Sequence, residues 1–507
     1  MSMVNFRDEI KGKSLVELAE QLEATIREAA REGKTLYKVE KDTLEYVLQI
    51  GYAAMEQLLV LQGDGDLGES VVTADGRRLE RSEEPAERPL RTVFGEHAIH
   101  SYVYSAGAHQ AIELRPVDAR LSLPPGRCSY FFEEFSQYFC VDQAFGQASR
   151  GLATVLRQEI SVDTLEHINQ RMGGQAEGFL DGLPTPPAKE EGALLVFTAD
   201  GKGVPLVKAD AQRVPAFDKA ERPGNRRMAT LAAVYTIDPY VRTPEQIVAA
   251  LFRDDTGPRP KDRPQPRFKH VTARFTTMRD DGDGEPWESN GTIEAFCWAE
   301  EQIDARRRAG QKVLRLMDGQ VSLWDAADNC LSVPPEDTVD ILDILHVSSY
   351  VWRAAKVFYP HWEHQEAFAR DRLLRILQGD VHGIISGLRQ MATKRRLKGK
   401  RLAEIATVCG YFEKHAHRMR YDEYLAAGYP IATGVIEGAC RHLAKDRMER
   451  SGMRWRLAGA QAMLHVRAVY QSSYWDDFHQ DRMTREQPQH HPHRALLNNY
   501  YPAVLRG

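Results

Sequence analysis

Residues 193–207 read ALLVFTADGKGVPLV and residues 311–325 read QKVLRLMDGQVSLWD. Each is a short apolar run, closed by Asp-Gly and followed by a second apolar segment. Runs of this length, rich in Leu and Val and bounded by turn residues, read as buried strands. RMATLAAVYTID (227–238) reads as a further strand, and a helical pattern at about 293–309 leads into the second Asp-Gly stretch. Strands interleaved with helices give an α/β fold. Asp200 and Asp318 then close strands of one sheet, where carboxylates at strand ends point into a common crevice. Taken singly, an Asp-Gly after a strand is equally a plain turn.

A third acid stands in ATGVIEGACRHLAKDRMER (432–450), which begins as a turn and continues as a helix. Glu437 falls in its first turn, beside apolar Val435 and Ile436, so this helix start is expected to pack against something. An acid there is either a charge favoured by the helix dipole or a group with a chemical task. Two strand acids and one helix acid together make a set able to hold two divalent cations for phosphodiester chemistry. Hard oxygen ligands suit Mg²⁺.

The remaining chain divides by pattern. Residues 1–73 carry two amphipathic helical stretches within 14–62. Residues 74–140 open with a charged linker or hairpin (74–90) and continue as alternating, strand-like sequence, forming a small β-containing unit. Residues 141–180 give two helices across a break near Glu159 and Ile160, with Ser161 as an N-cap. That is the outline of a DNA-binding helix-turn-helix, or of any helical hairpin. A proline-rich joint (181–190) precedes the first part of the α/β core (191–330), and DDTGPRPKDRPQP (254–266) reads as an extended loop. A mostly helical stretch covers 338–428 within an insertion at 331–430. The core resumes at 431–480 with the third acid, and 481–507 reads as a polar tail.

The chain has 507 residues and a formal net charge of −5, with 42% hydrophobic and 27% charged residues, which is ordinary globular composition. No apolar run is long enough for a membrane span, and MSMVNFRDEIKGKSLVELAEQ (1–21) has no apolar signal-peptide core. The expectation is a cytoplasmic protein with no membrane partner. Six scattered cysteines form no C-x-x-C pair, so no zinc is expected. Charge is uneven. Residues 1–100 carry 13 Lys+Arg against 20 Asp+Glu, and residues 388–456 carry 16 against 7. The basic block, which includes MATKRRLKGKR (391–401), is either a polyanion-binding face or a solvated helical surface.

TADGKGVPLV (198–207), LMDGQVSLWD (316–325), DILDILHVSSYVWRAAKVFY (340–359) and above all GVIEGACRHLAKDRMERSGMRWRLAGAQAMLHVRA (434–468) resemble bacterial insertion-sequence transposases of the DDE type, most closely the ISKra-four group. The resemblance covers about 190–475 well and 141–174 more loosely. It implies a ribonuclease-H-like catalytic core with an α-helical insertion between the second and third acids. It also implies Mg²⁺-dependent strand cleavage and transfer at element ends, with Mn²⁺ as a substitute. Under it, Asp200, Asp318 and Glu437 are the catalytic, metal-holding acids, and His346 is the histidine of an Asp-x-x-His pattern near the scissile phosphate. Double-stranded DNA, at element ends and target, is the implied partner, with a homo-oligomer assembled on it. Relatives often carry a cysteine-rich zinc ribbon before the helix-turn-helix. Here the matching region, 91–128, holds only Cys128.

Cations and one aromatic ring near the third acid complete the expected DNA-binding set. Arg441 and Lys445, four and eight residues after Glu437, share its face of a continuous helix. Arg447, Arg450 and Arg454 follow, with Trp455 as a ring to stack on an unpaired base or as a core residue. Lys202, in DGKG, is a further phosphate contact or a turn-surface lysine. Two other functions fit the same residues: a catalytically inactive, transposase-derived DNA-binding regulator, and a ribonuclease-H-like nuclease without strand transfer.

Overall fold

The computed structural model describes residues 13–107, 109–214, 224–254, 263–279, 287–450 and 452–505. The expectations for residues 1–12 and for 255–262 of the extended loop lie outside these. The chain forms two compact units, Met1–Gln175 with Trp475–Gly507, and Ala176–Tyr474. Together they make a mixed α/β protein. Among the described residues no helix is long and apolar enough to cross a membrane.

The first unit opens with helices Leu15–Glu32 and Leu36–Leu61. Ser14 and Glu17 form a reciprocal capping box that fixes the first start. Short antiparallel strands follow, including the hairpin Ala86–Thr92 with Gly95–Ser101. Helices Tyr130–Asp142, Phe145–Leu156 and Val162–Asp181 complete the run, and Ser161 Oγ accepts the Thr164 N–H at 3.1 Å at the last start. The expected polar tail is a correction. Trp475–His490 is a helix, with Phe478 and Arg482 buried. Arg482 pairs with buried Glu133, and Tyr130 Oη donates to Glu486 at 2.6 Å. Charged sequence hid a helix with one buried face because the charges on that face are satisfied by partners remote in the chain.

The second unit is built on one five-stranded sheet. Its strands are β1 (Leu194–Pro205), β2 (Arg226–Ile237), β3 (Arg267–Phe275), β4 (Val313–Met317) and β5 (Thr338–Leu342). The spatial order is β5-β4-β1-β2-β3. β1, β4 and β5 pair in parallel, and β2 runs antiparallel to β1 and β3. Every residue of β4 is buried, as a central parallel strand covered on both faces requires. β5 lies where the sequence pattern suggested the start of a helical stretch. Five residues are too few to carry a period that separates a strand from a helix.

After β5 come four helices of 14 to 17 residues, Ile344–Phe358, Trp362–Leu377, Val381–Lys394 and Gly399–His415. Their apolar faces join the side chains beneath β1, β4 and β5 in one core that includes Val196, Leu316, Ile341, Val347, Leu373 and Phe412. This helical subdomain is seated on the sheet through the β5 end and is continuous with its core. The chain returns to the sheet at Thr433, through the helix Gly434–Ala439.

Candidate active site

Three aspartates lie level across the parallel strands. β1 pairs with β4 at Leu195–Val313 and Phe197–Arg315, and β4 pairs with β5 from Val313–Thr338 to Met317–Leu342. Carried forward, the same registers set Asp200 opposite Asp318 and Asp318 opposite Asp343. Residues level on parallel neighbours face the same side of a sheet, so Asp200 and Asp318 open onto one crevice, while Asp343 in the same row is fully buried. Asp200 does not end its strand, contrary to the sequence reading. β1 runs on to Pro205 because β2 continues to pair with it, Asp200 against Leu231. The β1–β4 ladder is what ends, after Phe197, and the divergence opens the crevice.

Each aspartate is fixed differently. Asp200 Oδ1 accepts the Gly201 N–H at 2.7 Å, and its Oδ2 accepts the Cys440 thiol at 3.2 Å. Asp318 Oδ1 accepts the Gln320 N–H at 2.8 Å, and its backbone carbonyl accepts Trp324 Nε1 at 2.6 Å. Gly319 is required by packing, since a Cβ there would lie 2.3 Å from the Tyr411 ring. Asp343 is fully buried. It caps the Ile344–Phe358 helix by accepting from Leu345 and His346 N–H, and accepts the Thr433 N–H at 3.1 Å from the segment leading to the third acid. Sequence reasoning passed over Asp343, although an aspartate just before a helix is a cap signal and it is the acid of the Asp-x-x-His pattern.

His346 bridges two of the acids. Its Nδ1 sits 3.0 Å from Asp343 Oδ2 and its Nε2 3.7 Å from Asp318 Oδ2. The bond to Asp343 raises the imidazole above its ordinary range, against the pull of burial. Burial raises the Asp318 carboxyl, and the charges of Asp200 and Asp343 add to it while Gln320 and His346 oppose it. Burial raises Glu437 as well, with Asp343 and Asp200 adding and His346 opposing. Asp200, Asp318 and Glu437 thus share one electrostatic environment. Among the described residues no lysine or arginine pairs with any of the three, and no three His, Cys, Asp or Glu side chains are gathered tightly enough to hold a metal ion.

The helix carrying Glu437 is not continuous. After Gly434–Ala439 the chain runs as a π-helix over Cys440–Lys445 and closes with one α-turn, Asp446–Met448. Cys440 opens the π segment, where its thiol reaches Asp200. Burial and the Asp200 carboxylate push that thiol far up, so it stays a donor. A π turn holds more residues than an α turn, so everything beyond it rotates relative to Glu437.

That rotation sorts the expected DNA-binding residues. Arg441, Lys445 and Arg454 are exposed, and Arg441 lies 3.8 Å from Asp446. Arg450 is half-buried, with its Nε donating to the Asp446 carbonyl at 3.0 Å. Lys202, on β1 two residues past Asp200, lies 3.6 Å from Glu449, which Arg226 also holds, at 2.5 Å. Arg447 and Trp455 are corrections. Arg447 is fully buried, with its guanidinium 4.8 Å from the centre of the Trp455 ring. Trp455 Nε1 donates to the Met448 carbonyl at 3.2 Å, and its backbone pairs with Pro205, the last residue of β1, and with Val207 just past it. Both residues tie this segment to the sheet, and neither offers its side chain to a ligand.

No family model matches the chain, and no curated protein matches it. Among solved structures, the Drosophila P element transposase strand transfer complex is similar at a TM-score of 0.24 and 11% identity, over 76% of this chain and 86% of that chain. A likeness at that level carries no argument about fold or activity.

Proposed function

We propose that this chain is a DDE transposase that cleaves DNA and transfers strands at the ends of an insertion sequence. The observation that carries the reading is the placement of Asp200 on β1 and of Asp318 just past the end of its parallel neighbour β4, with Glu437 brought into the same electrostatic environment by a helix that returns after the helical subdomain. A ribonuclease-H-like core is supported by the single mixed sheet, with the acids in the order strand, strand, helix. The sequence resemblance to the ISKra-four group supports the same reading.

The donor set suits a hard cation. Its oxygens are carboxylates: the Asp200 charge raises both Asp318 and Glu437, and among the described residues no lysine or arginine pairs with any of the three. Asp200, Asp318 and Glu437 would have to close on Mg²⁺, or Mn²⁺ in its place, to hold it, and the ion would then supply activation of the attacking oxygen and charge relief at the leaving oxygen. The chain's own groups do the positioning. Asp343 fixes the His346 ring with Nε2 facing the crevice, and the imidazolium form that Asp343 favours donates its Nε2–H to a phosphate oxygen. Arg441, Lys445, Arg454 and Lys202 neutralise flanking phosphates. Cys440 holds Asp200 in one orientation. Assembly as a homo-oligomer on paired ends of double-stranded DNA, in the bacterial nucleoid, follows from the reaction class.

The test is incubation of the purified chain with DNA flanking its own gene, a supercoiled target and Mg²⁺ or Mn²⁺, beside Asp318→Asn. Metal-dependent 3′-end cleavage and joined product, both lost in the variant, are expected. Cleavage without joining would instead identify a nuclease, and binding without cleavage a regulator.

A further inference from the structure

Next to the third acid lies a cavity of about 610 Å³, lined among others by Phe268, Lys269, Gly434, Gly438, His442 and Tyr474. None of these residues has a part in the carboxylate chemistry. The cavity is made by an irregularity in the sheet. β3 pairs with β2 at Val234–His270 and at Thr236–Arg267, so Phe268 and Lys269 together oppose the single residue Tyr235. That is a β-bulge, a device that re-aims side chains beside functional sites. Consecutive strand residues ordinarily face opposite sides, and here the bulge brings both to one cavity. It holds Phe268 at a φ of 46°, a left-handed conformation that a bulky side chain adopts only under constraint.

Two further features point to an occupant. Burial pulls the Lys269 ammonium down, and no charged neighbour offsets that effect. Among the described residues no carboxylate pairs with it, and it lines the cavity. On the opposite wall, Gly434 and Gly438 lie one turn apart in the Glu437 helix. A Cβ at either would meet nothing within 4 Å, and neither has a left-handed φ. Glycine weakens a helix, and here neither backbone geometry nor close packing calls for it. What the two glycines do is keep this wall clear.

Resting on the DNA-processing reading above, we infer that this cavity takes one unpaired nucleotide of the DNA strand beside the cleavage site, with Lys269 on its phosphate and Phe268 and Tyr474 against its base. The volume falls in the range of about 300–1,000 Å³ typical of ligand pockets. An aromatic wall with a lone cation is the chemistry that holds an unstacked base of any sequence. The cavity flanks the helix of Glu437, so a nucleotide extruded there anchors the strand next to the reacting phosphate.

The test uses Asp318→Asn protein, which leaves the DNA intact, with duplexes from the flank of its own gene that carry 2-aminopurine at successive positions. One position is expected to brighten severalfold on binding. Gly438→Gln, which fills the cavity from its open side, and Lys269→Gln are each expected to abolish that rise at DNA concentrations that saturate the variant. An undiminished rise in both variants, or saturation with no position brightening, overturns the pocket and leaves the carboxylate chemistry standing. Lys269-dependent binding of free deoxynucleoside monophosphate without a 2-aminopurine response reassigns the cavity to a soluble ligand and overturns its place on the strand. Failure of the chain to bind the DNA at all overturns the DNA reading, and the pocket with it.

Discussion

Asp343 holds the Nδ1 of His346 at 3.0 Å, and the same carboxylate caps the helix on which His346 stands. An acceptor at Nδ1 makes that nitrogen the proton carrier and leaves Nε2 facing the crevice beside Asp318. One buried acid therefore sets the tautomer, the ring orientation and the helix start together. Its other oxygen reaches the Thr433 N–H, four residues before Glu437. The second and third acids are thus referred to a common anchor that itself stays out of the crevice.

Asp343→Ala should cost about 3 kcal/mol, since it orphans three buried backbone N–H groups and the histidine. Asp343→Asn keeps an acceptor for the caps and should cost about 1 kcal/mol. Urea denaturation compares the two. Equal losses would mean that the carboxylate charge, rather than its hydrogen bonds, stabilises this corner.

Repulsion among the acids sets a second expectation. Asp318 and Glu437 are raised by burial and by each other's neighbours, so without a cation the site strains the fold. In chelator, Asp318→Asn should melt about 1–3 °C higher than the native chain. Saturating Mg²⁺ or Mn²⁺ should raise the native Tm by about 2–4 °C and leave the variant unmoved. Thermal melts in each condition check this, and an equal metal response in the variant would place the cation elsewhere.

Strands β1, β2 and β4 and the two Asp-Gly stretches were legible because buried strands and turn residues write themselves locally, whereas β3 was not read at all. Three further things were not. β5 is too short to differ from helix in sequence. The C-terminal helix is charged, but its Arg482 finds Glu133 about 350 positions away, a pairing no local pattern encodes. The π segment at Cys440–Lys445 is set by packing, and it rotates Arg447 inward where a continuous α-helix would have kept it nearer the Glu437 face. Level placement of Asp200, Asp318 and Asp343 is likewise a matter of register, which appears only once the strands pair.

The contact between Gly319 and Tyr411 gives a steric prediction. A Cβ on residue 319 meets the tyrosine ring, which is itself stacked on Tyr350 at 3.7 Å. Gly319→Ala should destabilise by about 1–3 kcal/mol and displace Asp318. Adding Tyr411→Ala should recover most of the activity lost by Gly319→Ala, measured against Tyr411→Ala alone. Additive losses in the double variant would exclude the clash as the cause.

Arginines on the two sides of the π segment should behave differently. Arg441→Ala removes an exposed cation and should lower the salt slope of DNA binding by about 1, with stability within about 0.5 kcal/mol of native. Arg447→Ala empties a buried site against Trp455 and should cost about 2–4 kcal/mol in stability. Its salt slope should be unchanged, provided binding is measured where the variant is folded. Filter binding across a salt series, beside denaturation curves, separates the two, and an Arg447 effect on the slope alone would return that residue to the DNA surface.

Histidine burial makes the second unit acid-sensitive. His270, wholly buried on β3 between Gln302 and the Tyr474 hydroxyl, is pushed down to about 4, and His415 likewise to about 4. Desolvation is the first cause in both. A depressed base binds its proton in the unfolded chain before the folded one, so ν for the unfolded state exceeds ν for the native state between about 6.5 and 4. Stability is therefore complete above about pH 6.5 and falls as pH drops toward 4, by on the order of 1 kcal/mol per pH unit for each histidine. His270→Gln retains a hydrogen-bonding side chain without the titration. Denaturation midpoints between pH 7.5 and 4.5 should fall less steeply in that variant than in the native chain. Identical slopes would mean that His270 is protonated, and solvated, in the folded state.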